Sequence, residues 1–236
     1  MRNIKLAHNY SWLFEFESID DFKGIENLKL VNEIESNIYL YKISRIVNNG
    51  TIDFLELKSK IQDKRDYEDE DKILQFLQES IEKEEYCQII LFKDINKFLI
   101  ICDDIRNWND YFINTKFRSI EVLNKRIISS ILDNGFSDNI LSVSFCYEKK
   151  LNDMINSVNI HGSNIQHSEK FLDIIHDDEV KTLSCVFQPT NKDYLVTLKI
   201  QNKIELSKYI SDKDHMEFLK EFIAFISKEL SNNFRR

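Results

Sequence analysis

Residues 86–103 constrain the fold of this chain more than any other stretch. Two dense apolar runs, YCQIILF and KFLIICD, flank the polar tetrapeptide Lys93-Asp94-Ile95-Asn96. Apolar runs of this length, bounded by a turn, predict a pair of buried strands. The rest of the chain reads as further strands of this kind and the helices that cover them.

Upstream, Tyr10, Trp12, Phe14 and Phe16 recur at every second position, which places them on one side of an extended strand. Bulky aromatics in such a stripe predict core packing rather than a ligand platform. Residues 38–46 and 51–57 predict a hairpin through Val47-Asn48-Asn49-Gly50, since Asn and Gly supply the positive φ of a tight turn. Ile73, Leu74, Leu77 and Ile81 share one helical face, and the carboxylates of residues 68–71 stand at its start, where the helix dipole favours them.

Downstream, residues 106–117 predict a short helix and a linker. A second unit is expected to open with a helix capped by Ser119 and carrying Val122, Leu123, Ile127, Ile128, Ile131 and Leu132 inward. Residues 140–147 alternate as a strand does. Residues 148–158 suit an amphipathic helix bearing Leu151, Met154, Ile155 and Val158, and residues 159–167 read as a loop around Gly162. Residues 180–187, 194–200 and 203–206 predict a meander. A wide apolar stripe, including Met216, Leu219, Phe222, Ile223, Ile226 and Leu230, then predicts a helix opened by Ser211 or Asp212 and lying on a sheet. The expected fold class is therefore α+β: antiparallel hairpins and meanders covered by amphipathic helices, in two similarly sized units, residues 1–116 and 117–236.

Composition removes several function classes. With 4 Gly and 1 Pro among 236 residues, no glycine-rich phosphate loop is encoded, and neither G-x-G-x-x-G nor G-x-x-x-x-G-K-[ST] nor G-x-S-x-G occurs. No apolar run approaches a bilayer span and the first residues lack a signal-peptide core, so a cytoplasmic protein without membrane contact is expected. Cys87, Cys102, Cys146 and Cys185 form no C-x-x-C pair and read as reduced core thiols, not as a disulfide frame or a metal site. The net charge of -8 disfavours a generally basic surface, but residues 63–85 hold ten acidic and four basic residues and so account for six of those eight charges. The remainder is nearly neutral.

Three constellations could carry chemistry. Asp53, Glu56 and Lys58 resemble in spacing the carboxylate then Glu-x-Lys arrangement that holds Mg²⁺ in restriction-type nucleases, although Asp53 falls on the opposite strand face and a further acid, Glu33 or Glu35, would have to join it. Lys116, Arg118, Lys125 and Arg126 form a basic patch around the second unit's first helix that could meet phosphate. His161, His167 and His176 with Asp177 and Asp178 are the densest histidine neighbourhood, in spacings that match no standard metal motif, so no metal or other cofactor is expected.

With no catalytic motif in view, the expectation is a non-enzymatic protein-interaction or regulatory subunit with a hetero- or homo-oligomeric protein partner. Heavy use of Ile, Asn, Lys, Glu and Asp points to an AT-rich bacterium and its mobile-element or defence systems. A Glu-x-Lys nuclease and a nucleic-acid-binding module are the alternatives.

Overall fold

The computed structural model describes residues 6, 8, 10–48, 82–133, 139–146, 158–163, 165–169, 171, 179–188, 192–207 and 211–231. Among the described residues eleven strands form a single antiparallel sheet: β1 (Tyr10–Glu15), β2 (Lys29–Glu35), β3 (Ile38–Asn48), β4 (Glu82–Phe92), β5 (Lys97–Ile101), β6 (Arg118–Ser119), β7 (Asn139–Cys146), β8 (Val158–His161), β9 (Glu179–Phe187), β10 (Tyr194–Lys199) and β11 (Lys203–Leu206). Their spatial order is β2-β3-β4-β5-β1-β11-β10-β9-β7-β8, with β6 attached to β1. The longer helices among the described residues are α1 (Lys125–Asp133) and α2 (Asp212–Ser231). The molecule is thus mixed α and β, and the sheet dominates it.

The 86–103 stretch forms the expected pair. In β4 and β5, Ile89 stands opposite Ile100 and Ile90 opposite Leu99, and Asn96 turns the chain between the strands at φ 53°. The apolar runs do not alternate because both faces of these strands are covered. Ile90, Leu99 and Ile101 enter one core, while Ile89, Leu91, Phe98 and Ile100 enter the other. The strand begins earlier than its apolar run, at Glu82, because its charged start is stitched to β3. Arg45 donates two hydrogen bonds to Glu85, at 3.3 and 2.8 Å, and Lys42 stands 3.5 Å from Glu84. Part of the acidic cluster is therefore spent inside the sheet.

β1 behaves as its aromatic stripe predicts. Trp12 and Phe16 are buried in the second core, Tyr10 and Phe14 pack against it, and Leu13 points into the first. The 3-10 turn Ile19–Gly24, closed by a reciprocal cap between Ser18 and Asp21, brings Phe22 onto that aromatic face, and Ile105–Trp108 brings Trp108.

The C-terminal half follows the predicted meander of β9, β10 and β11. α2 packs against it through aromatic rings: Phe218 and Phe222 meet Phe187 edge-on at centroid distances of 5.5 and 5.7 Å. Ser211 opens the helix by accepting a hydrogen bond from the Asp214 amide. α1 docks beside α2 through a buried hydrogen bond in which Ser130 Oγ donates to Glu229 Oε2 at 2.6 Å. Removing the donor strands a buried carboxylate oxygen. Ser130→Ala is therefore expected to cost about 1–3 kcal/mol in denaturant unfolding, while Glu229→Gln, which keeps an acceptor, should cost less.

Several local expectations fail. Ser119 does not cap a helix: it lies in β6 opposite Phe14, and Asn124 caps α1 instead, its Oδ1 accepting from the Ile127 amide at 2.9 Å. Val122 and Leu123 are buried all the same, just ahead of the helix. Val158 opens β8 rather than closing a helix, and β8 occupies part of the stretch read as a loop. β2 carries no readable strand pattern at all. The second arm of the predicted 47–50 hairpin, the 73–81 helix and residues 148–157 lie outside the described residues. No described helix is long and apolar enough to cross a membrane.

Candidate functional site

The basic patch does not assemble as a helical face. Lys116 is exposed in the segment ahead of β6, and Arg118 belongs to β6 itself, where its guanidinium donates to Glu17 at 2.8 Å. Only Lys125 and Arg126 stand in the first turn of α1, the former exposed and the latter half-buried. A phosphate approaching Arg118 would compete with a carboxylate already seated on it, which weakens the case for a nucleic-acid surface.

Asp53, Glu56 and Lys58 lie outside the described residues. Of the acids that could complete their set, Glu33 stands on β2 opposite Tyr39, and Glu35, opposite Ile38, is engaged by Lys220 of α2. His161 and His167 are exposed, whereas His176, Asp177 and Asp178 lie outside the described residues. Among the described residues no three His, Cys, Asp or Glu side chains are grouped to hold a metal. Cys87, Cys102 and Cys185 are buried. Burial pushes the Cys87 thiol up to about 12 and raises that of Cys102 as well, the opposite of what a nucleophile needs.

One face of the C-terminal half is polar. Thr182, Ser184, Thr197, Lys199, Lys203 and Glu205 stand on it, half-exposed, beside the aromatic side of β1. Several of these groups engage one another or the neighbouring rings. The Ser184 and Thr197 hydroxyls share a hydrogen bond of 2.9 Å, Lys199 pairs with Glu205, and the Lys203 ammonium lies 3.6 Å from the Tyr10 ring centroid and 5.5 Å from that of Trp12. Much of the surface is engaged internally, and among the described residues it presents no converging set of reactive groups.

The outermost strand is different. β2 ends the sheet order, and among the described residues its only strand partner is β3. Its pairing slips twice, between Leu30 and Asn32 and again between Glu33 and Glu35, so the ladder to β3 is bulged. Leu30 and Val31, adjacent in sequence, are 57% and 55% exposed. Single exposed apolar residues are ordinary, but two together on a terminal strand add apolar area to a ladder edge that no other strand among the described residues pairs with. Ile34 of the same strand instead packs inward against the first core. Sequence reasoning overlooked this strand because KLVNEIE alternates poorly. The available signal was Asn37, whose positive φ of 67° makes the turn into β3. Searches with family models and of curated proteins found no match to this chain.

Proposed function

We propose that this protein works by binding another protein chain through strand β2, as a non-enzymatic interaction or regulatory subunit. The observation that carries this reading is the exposure of Leu30 and Val31 on the terminal strand of a large antiparallel sheet. A strand in that position offers main-chain donors and acceptors for affinity and side chains on either face for selectivity. The buried, protonated thiols and the internally engaged polar face are consistent with binding rather than turnover. The strand order also supports a chain of two units divided near Lys116: β1 to β5 fill one side of the sheet and β7 to β11 the other, with the β1–β11 pair as the seam. Composition alone, rich in Ile, Asn and Lys, supports placing such a subunit in a bacterial mobile-element or defence assembly.

The test is the double variant Leu30→Glu with Val31→Glu. Both side chains are exposed, so its circular dichroism and unfolding midpoint should match those of the unaltered protein. Burying each residue at an interface is worth about 1.5–3 kcal/mol, so partner capture by the tagged protein should fall by about a hundredfold or more. Equal capture of the same partner by both forms would disprove the reading.

A further inference from the structure

We infer that the chain β2 receives is a second copy of this protein, its own β2 laid antiparallel across a twofold axis. The inference rests on the reading of β2 as the contact strand and adds the identity of the occupant. The charge order of the strand supports it. β2 reads Lys29-Leu30-Val31-Asn32-Glu33-Ile34-Glu35, with a cation at one end, two carboxylates at the other and its exposed apolar pair between them. Antiparallel self-pairing brings the Lys29 end of each copy against the Glu33 and Glu35 end of the other, so the contact is complementary to itself. A parallel arrangement would set like charges side by side. Lys29 and Glu33 are exposed, and neither belongs to an ion pair within the described residues. Glu35, held by Lys220, stands ready as a shared acceptor.

The geometry also limits the assembly to two copies. An isologous contact uses the same edge on both partners and so closes on itself. The opposite end of the sheet is β8, only four residues long, with Asn159 and His161 exposed, and it offers little ladder for further growth. The two bulges in β2 shorten the continuous run of main-chain bonds, which leaves Leu30, Val31 and the end charges to set the register.

The experiment is sedimentation velocity across a wide concentration series, with three chains. The unaltered protein should show a reversible monomer–dimer equilibrium. Lys29→Glu, which makes the strand uniformly acidic, should weaken the dimer about tenfold or more, and so should Glu33→Lys with Glu35→Lys, which makes it uniformly basic. Mixing the acidic and basic chains should restore a dimer containing one of each, a result that misfolding of either variant would not produce. A monomer at every concentration would overturn self-pairing, as would charge-reversed chains that dimerise like the unaltered one or fail to complement on mixing. None of these outcomes touches the broader reading, which stands or falls on partner capture by Leu30→Glu with Val31→Glu.

Discussion

Phe98→Ala is expected to cost about 3–5 kcal/mol of folding stability, the range for deleting a fully buried phenylalanine. Phe98 has no solvent exposure and sits where the second core converges. Its ring lies 4.5 Å from that of Phe117, 5.1 Å from Phe22, 5.3 Å from Phe14 and 6.2 Å from Phe16, centroid to centroid. These rings come from four segments: Phe14 and Phe16 at β1, Phe22 from the 3-10 turn, Phe117 from the run into β6, and Phe98 from β5. Truncation removes contacts to all of them at once, and the strands behind cannot close the gap because Ile89 and Ile100 are fixed by the ladder. Urea unfolding followed by far-UV circular dichroism measures the loss, and near-UV circular dichroism should fall with it as the aromatic cluster loosens. A cost below about 1 kcal/mol would mean that the second core is not packed as described.

Acid should weaken the fold through His215, by about 3 kcal/mol between pH 6.5 and pH 4. The imidazole is buried on α2, and burial depresses its pKa to about 4, with Asp212 nearby opposing that shift only in part. The folded chain therefore keeps His215 neutral through a window in which the unfolded chain, titrating near 6.5, takes up a proton. Stability from this group is fully present above pH 6.5, declines as pH falls through the window, and levels off below about 4. His215→Leu removes the titrating group and keeps an apolar side chain on the helix. Chemical denaturation of both proteins at pH 7.5, 6, 5 and 4 should show the unaltered protein losing stability faster than the variant. Parallel pH profiles would remove His215 as the cause.

Which elements the sequence disclosed follows from what holds them. β4, β5, the stripe on β1, the meander and α2 owe their form to side chains committed to a core, and that commitment is written as runs or periods. β2 is held by main-chain bonds to β3 and a few contacts such as Ile34 with the first core, so its charged, bulged sequence carries no alternation. β6 is two residues and β8 four, too short for any period to show. The Ser119 error has the same source, since a hydroxyl before an apolar run suits a strand end as well as a cap and only the geometry of Asn124 separates the two. For the surface, the sequence offers only missing motifs in favour of an interacting protein. Leu30 and Val31 are not distinguishable from core residues by local pattern, because exposure depends on which strand is outermost, a property of topology.

The position of β1 carries a cost for synthesis in the cell. One flank pairs with β5, where Trp12 stands opposite Ile100, and the other with β11, where Tyr10 stands opposite Glu205, a partner 195 positions further along. A ribosome therefore releases β1 long before its second neighbour. Until β11 emerges the nascent chain carries half a seam with nothing to close it, which makes that interval the stage at which chaperone protection would matter most.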